Sequence, residues 1–250
     1  MKIFLIIQDD PFYLFDDIDF IFKKSAIFIV GVTVLGQKLP NDTFLKLIKR
    51  YLNVFGWSSF LKLLIKFLFF KYIIGRNIQR KILNNGFHLL NTIDINNIDY
   101  IMKIHKLNPD LIVSVACPQK INSSLLKCPN VGVINLHGGY LPDFPGVFTP
   151  FWNLLKNSPH AGCTVHWVND KIDGGNIISR KKILINNSMS MMEIYKLISH
   201  EGLQMLVDSI QKISENRQKE IINNYIPTSY NSFPTNKEGK EFRKRGLKAV

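Results

Sequence analysis

Residues 110–146 read DLIVSVACPQKINSSLLKCPNVGVINLHGGYLPDFPG, and this stretch decides the fold. DLIVSVA and VGVINL are short, β-branched apolar runs of the kind that form strands buried on both faces of a parallel sheet. Between them, Ser123 to Lys127 has room only for a helical turn. Upstream, residues 96–106 place Ile98, Ile101, Met102, Ile104 and His105 at helical spacing, and two further runs, KIFLII at 2–7 and AIFIVGVTV at 26–34, repeat the strand pattern. Some twenty residues separate those two, enough for a strand, a crossover and a strand. Downstream, Cys163 to Val168 and Asn176 to Ile185 read as strands joined by a turn at Asp173-Gly174-Gly175. Ser190 to Ile213 reads as an amphipathic helix whose Ser190 and Glu193 fit a capping box, with Ser188 as the other candidate cap. The predicted class is α/β: an open, mostly parallel twisted sheet flanked by helices, with a C-terminal helix and an extended tail. The expected division is a core over 1–215 and an extension over 216–250.

Composition narrows the function classes. Of 250 residues, 46% are hydrophobic and 12% aromatic, which excludes an intrinsically disordered chain. Cys117, Cys128 and Cys163 are an odd number without a CxxC pair, which excludes a disulfide scaffold and fits a reducing compartment. The apolar run Ile3 to Ile7 is too short for a secretory signal, so a cytoplasmic chain beginning at Met1 is expected. Lys and Arg number 32 against 19 Asp and Glu, a net charge of +13. That balance admits nucleic acid, an anionic membrane or an anionic substrate. No arginine-rich recognition helix or aromatic RNA-binding signature is present, so a nucleic-acid partner is not expected.

The most hydrophobic window, residues 60–74 (FLKLLIKFLFFKYII), is interrupted by Lys62, Lys66 and Lys71 and falls short of the ~20 apolar residues of a spanning helix. Two readings stand. A partly buried helix would pack on the sheet; a surface helix, with Arg76, Arg80 and Lys81 beyond it, would form a homodimer or touch a membrane.

The chemistry concentrates at the end of VGVINLH. Side chains two apart on a strand share a side, so Asn135 and His137 project together at its carboxyl end, where ligands of open α/β sheets bind. Gly138, Gly139, Pro142 and Gly146 shape the loop that follows. Asp173 supplies a carboxylate at a tight turn. An amide, an imidazole and a carboxylate are what addition of an amine to a carbonyl needs: a group for the oxyanion, one to move a proton, and one to hold the imidazole charged. Each motif alone is an ordinary strand histidine or an ordinary turn. His166 is either an acceptor-binding group or a packed histidine. Cys117 and Cys163 invite a thiol-nucleophile reading, but no Cys-His pairing supports it. No HExxH, CxxC or carboxylate cluster points to a metal.

In combination these motifs resemble the 10-formyltetrahydrofolate-dependent formyltransferases. The resemblance rests on Asn135-x-His137, on Leu141-Pro142-Asp143-Phe144-Pro145-Gly146, on Val165-His166-Trp167-Val168 and on Asp173-Gly174-Gly175. It covers about residues 108–187, and the first hundred residues match only as a loose α/β half. It implies 10-formyltetrahydrofolate as cosubstrate, without a metal. Asn135 would hydrogen-bond the formyl oxygen, His137 as imidazolium would stabilise the oxyanion, and Asp173 would raise the pKa of His137 and help relay the amine proton. The pterin would lie against Cys117, Pro118, Gln119 and Ile121 on one side and Asn169, Asp170, Lys171 and Ile172 on the other, read by backbone groups.

The acceptor classes of the family differ in what surrounds the core. The methionyl-tRNA enzymes carry a substantial C-terminal domain and the related hydrolases an N-terminal regulatory one, neither of which is expected here. Glycinamide ribonucleotide formyltransferase of purine synthesis has a Gly-rich phosphate loop after its first strand, where Gln8-Asp9-Asp10-Pro11 stands. The expected acceptor is therefore a primary amine on a nucleotide-linked amino sugar for surface polysaccharide synthesis. The C-terminal YNSFPTNKEGKEFRKRG also resembles segments of such enzymes. The alternatives are glycinamide ribonucleotide, or a catalytically inactive membrane-surface binding module.

Overall fold

The four apolar runs at 2–7, 26–34, 110–116 and 131–136 become four neighbouring strands of one sheet. In the computed structural model the described residues are 1–23, 27–36, 43–224 and 230–250. Position 26 of the second run and 225–229 of the tail lie outside them. In chain order the elements are β1 (Lys2–Gln8), α1 (Leu14–Asp17), α2 (Asp19–Phe22), β2 (Phe28–Leu35), α3 (Phe44–Leu68) running into a π-helical turn (Phe69–Ile73), α4 (Ile78–Asn84), α5 (Ile98–Leu107), β3 (Leu111–Val115), α6 (Ser123–Leu126), β4 (Gly132–His137), α7 (Thr149–Leu155), β5 (His160–Trp167), β6 (Ile177–Leu184), α8 (Met191–Ser214) and α9 (Asn236–Lys244).

The strand order is β2-β1-β3-β4-β5-β6. β2, β1, β3 and β4 pair in parallel, and β5 and β6 add antiparallel. Both faces are covered, as continuous apolar strands require. Ile3, Leu5, Ile7, Val113, Leu136 and Val165 face one core with α8, α7 and α9, whereas Phe4, Ile6, Ile112 and Val133 face another with α5. α8 begins in the expected capping box, with Ser190 accepting from Glu193 N and the Glu193 carboxylate accepting from Ser190 N.

Two expectations are corrected. The helix read at 60–74 begins at Phe44 and breaks at Gly56, whose φ of 72° is open to glycine and strained for other residues. Its first half buries Val54 and Phe55 in the core that also holds Ile3, Leu5 and Val113 and lies against α9, whereas within 60–74 Leu63 packs on that core and the outer face stays exposed. The freed carbonyls at the break, Asn53 O and Val54 O, accept from the Arg243 guanidinium of α9, so the polar groups released by the kink stay paired. The tail is not simply extended either, because α9 is a capped helix. A Cβ on Gly239 would stand 2.5 Å from Val54 Cα, and Phe242 stacks on Phe151 with centroids 4.6 Å apart.

Because Phe242 is fully buried between Phe55 and Phe151, Phe242→Ala should cost about 3–5 kcal/mol of stability. Equilibrium denaturant unfolding will measure this; a change under about 0.5 kcal/mol, the size expected of a surface substitution, would mean that α9 does not dock as described.

Candidate active site

The site forms where the sheet changes from parallel to antiparallel pairing. In the β4–β5 register Asn135 stands opposite His166, and His137 opposite Thr164. Directly opposed residues on antiparallel strands are close enough for their side chains to touch, and Asn135 Nδ2 lies 3.3 Å from His166 Nε2. The other ring nitrogen, His166 Nδ1, is 2.8 Å from Trp167 O. A carbonyl can only accept, so Nδ1 carries the hydrogen and Nε2 accepts from the Asn135 amide. This settles the amide orientation and leaves its second N–H unspent. Burial first, and then the positive charge of His137, push the His166 pKa down, while Asp173 and the Trp167 carbonyl oppose the shift only in part. His166 is thus a neutral acceptor at pH 7 that orients Asn135.

His137 is buried, with Nε2 donating to Phe144 O at 2.8 Å and Nδ1 3.6 Å from Asp173 Oδ1. Both neighbours are acceptors, so a ring bearing hydrogen on each nitrogen is matched at both. Gly139 is required here, since a Cβ would lie 2.6 Å from His137 Nε2 and closer still to Phe144 O. Asp173 has a φ of 54°. Its Oδ2 accepts from Gly146 N at 2.7 Å, and its Oδ1 also lies 3.9 Å from His166 Nε2. The loop between β4 and α7, which includes a cis Leu141–Pro142 peptide, is tied to the antiparallel strands: Leu141 N donates to Thr164 Oγ1, Thr164 Oγ1 to Gly139 O, and Arg180 to Leu141 O.

Asn135, His137 and Asp173 are thus brought together. Cys117, Pro118 and Gln119 follow β3 at the same end of the sheet, and the Gln119 side chain bridges Ile95 N and Ile93 O, which leaves backbone groups to meet a ligand. The Ile121 side chain is buried in the α5-side core, so only its backbone is left to meet a ligand. Asn169 accepts from Lys171 N, and Asp170, Lys171 and Ile172 are exposed around that turn. The thiols fit no nucleophile role, because burial pushes Cys117 up to about 11 and Cys163 up to about 12, leaving both protonated at neutral pH. Among the described residues no group of three or more His, Cys, Asp and Glu is placed to hold a metal ion.

The roles of three residues are not legible in the sequence. His166 was one of two open readings, and only the strand register selects an orienting role. Asn223, from the C-terminal segment, donates to Asp173 O and Gly175 O and so holds the carboxylate's turn; nothing in its local sequence marks it. Asp10, in the loop after β1, accepts from Phe12 N and Tyr13 N, and burial raises its pKa from 3.8 to about 6. Tyr13, stacked on Tyr195, and Tyr51 share its surroundings. β1 and β4 run parallel to β3, so this acid-and-tyrosine cluster opens at the same end of the sheet as His137.

An amide donor, a buried imidazole and a carboxylate at the ligand end of an open α/β sheet define a site suited to acyl transfer onto an amine. Residues 89–210, just under half of the chain, match the formyl transferase family. The bifunctional polymyxin resistance protein ArnA of Wigglesworthia glossinidia brevipalpis is 30% identical over 149 residues, 60% of this chain and 23% of that protein. A methionyl-tRNA formyltransferase of Methylacidiphilum infernorum is 26% identical over 160 residues, 64% of this chain and 50% of that one. The chain therefore spans half or less of these relatives. Among solved structures, the N-formyltransferase of Helicobacter canadensis in complex with folinic acid and dTDP-3-aminofucose has a TM-score of 0.61 at 18% identity, covering 93% of this chain and 71% of that one. Glycinamide ribonucleotide transformylase 1 of Symbiobacterium toebii has a TM-score of 0.62 at 15% identity, covering 90% and 94%.

Two outcomes are expected. In imidazole-detected NMR, His166 should hold the Nδ1–H form at neutral pH, and its titration should move upward in His137→Ala, since a repelling charge is gone; an unmoved midpoint would separate the two rings. The raised Asp10 pKa adds stability below pH 3.8 that is lost as pH climbs through about 6. Asp10→Asn, which keeps an acceptor for Phe12 N, should remove that slope and raise stability at pH 7 by about 1–2 kcal/mol. Thermal melts across this range will check it, with an unchanged slope counting against the burial of Asp10.

Proposed function

We propose that the protein transfers a formyl group from 10-formyltetrahydrofolate to a primary amine carried by a nucleotide-linked amino sugar. The observation that carries the reaction is the placement of Asn135, His137 and Asp173 within a segment of the formyl transferase family. The free N–H of Asn135 is available to the formyl oxygen. His137 contributes positive charge to the developing oxyanion, and because both its nitrogens face protein groups, charge is its larger contribution. The Asp173 carboxylate compensates that charge and stands ready to take the proton that the amine loses on attack.

The folate-type donor fits these residues, since Asn135 keeps an unspent N–H and the loop from Cys117, in which Gln119 O accepts from Cys117 Sγ, follows the neighbouring strand at the same end of the sheet. Cys117, Pro118 and Gln119, with Asn169 to Ile172, would flank the pterin. The acceptor reading draws on the loop after β1. It carries a buried acid and tyrosines in place of a glycine-rich phosphate cradle, which suits an ammonium-bearing sugar better than a ribonucleotide phosphate. The Helicobacter structure, whose complex holds an amino-sugar nucleotide, supports the same choice. Glycinamide ribonucleotide is the second reading, supported by the similar coverage of the Symbiobacterium fold. An inactive binding module is disfavoured by the intact constellation.

The test is tetrahydrofolate release from 10-formyltetrahydrofolate with a panel of dTDP- and UDP-linked amino sugars, glycinamide ribonucleotide and methionyl-tRNA. Turnover on an amino-sugar nucleotide is expected, with His137→Ala lowering kcat about a hundredfold or more at little cost in folate binding. Turnover confined to glycinamide ribonucleotide or methionyl-tRNA would overturn the acceptor, and full activity in His137→Ala would overturn the mechanism.

A further inference from the structure

The second half of α3 carries an exposed apolar outer face. Beyond the Gly56 break no residue from Trp57 to Ile74 is fully buried. The inner side is well anchored: Phe67 and Phe70 pack on Phe12, Lys71 pairs with Asp9 at 2.6 Å, and Arg76 reaches Asp16 at 2.9 Å. The outer side carries Trp57, Leu61, Ile65, Leu68 and Tyr72, spaced by four, four, three and four residues and so aligned on one face. Ile65 is 57% exposed, and Trp57 and Tyr72, at the two ends of the row, are 69% and 68% exposed. Phe69, Ile73 and Ile74 widen the patch. An exposed apolar area of this extent marks a contact surface.

Charge identifies the occupant. From Thr43 to Ile93 the chain has no Asp or Glu and nine Lys or Arg. At 100° per residue, Lys62 and Lys66 fall along one edge of the apolar row, and both are exposed, with Glu193 close enough to Lys66 to feel its charge. Lys71, Arg76 and Lys81 are instead held by Asp9, Asp16 and Asp19, which corrects the expectation that Arg76 and Lys81 extend the basic surface. An antiparallel two-fold contact with a second copy would bring the two Lys62 and Lys66 edges together, four lysines against the single Glu193 carboxylate that each copy sets near Lys66. An anionic lipid surface matches both features: the apolar row enters the headgroup boundary, with Trp57 and Tyr72 as amphipathic end anchors and the lysines reaching acidic headgroups. Among the described residues no helix is long and apolar enough to cross a membrane, so the contact would lie in the interface plane. We propose that the outer face of α3 from Trp57 to Tyr72 docks the protein onto an anionic membrane. Because the inner side of the same segment holds the Asp9–Phe12 loop, docking would set the ligand end of the sheet beside the lipid.

The test is vesicle flotation of the full chain with phosphatidylcholine alone and with phosphatidylcholine mixed with phosphatidylglycerol, alongside sedimentation velocity without lipid. Wild type should float with the mixed vesicles only, and more weakly at high salt. Lys62→Gln and Lys66→Gln should each weaken binding about fivefold, and Leu61→Ser with Ile65→Ser should abolish it while leaving the melting temperature unchanged. If the serine variant does not fold, the two glutamine variants decide. No flotation, equal flotation on both vesicle types, or a dimer in solution that Ile65→Ser dissociates would overturn the proposal, the last in favour of a second copy of the chain.

Discussion

The antiparallel pairing of β5 on β4 is the constraint on which the site depends. A parallel neighbour would present another strand's carboxyl end beside Asn135. The antiparallel one brings His166 across from it, and the returning turn swings Asp173 back to His137. Register in a sheet with buried faces admits no slip, since moving by one residue would turn Asn135 and His137 into the apolar core. The packing of Leu136 and Val165 beneath the sheet therefore also positions the polar groups.

A buried imidazole, a second imidazole and a carboxylate are costly to desolvate, and the surrounding loops offset that cost through backbone hydrogen bonds. Phe144 O, Trp167 O and Gly146 N each meet one of the three side chains. Segments far apart in the chain hold those backbone groups still. Asn231 donates to Pro145 O and accepts from Lys156, while Asn223 braces the Asp173 turn. Part of the C-terminal segment thus supports the site without supplying a reacting group, and α9 anchors it through the Phe55, Phe151 and Phe242 cluster.

The same segment accounts for the split character of α3. Up to Gly56 the helix lies against α9 and buries Val54 and Phe55. Past Gly56 its inner edge meets the loop after β1 and, through Leu63, the core, while its outer residues keep an apolar composition that no part of the described chain shields. Apolar content in a helix does not by itself reveal burial, because the same row of Leu, Ile and aromatic residues suits a core, a partner or a lipid interface.

Local signals determined much of this protein before any coordinates. Continuous β-branched runs specify buried strands, the Ser190–Glu193 capping box specifies where α8 begins, and the Asn-x-His spacing places two functional side chains on one side of a strand. Each depends on neighbours within a few residues, and such short-range geometry is written in the chain. Tertiary structure alone decided the roles of His166, Asn223 and Asp10, the burial of the Ile121 side chain, and the docking of α9 on α3. Those depend on contacts across 31 residues between Asn135 and His166, 50 between Asp173 and Asn223, and 189 between Val54 and Arg243. At such separations the partner of a polar or apolar group is set by sheet register and helix packing, which no local pattern of residue types encodes.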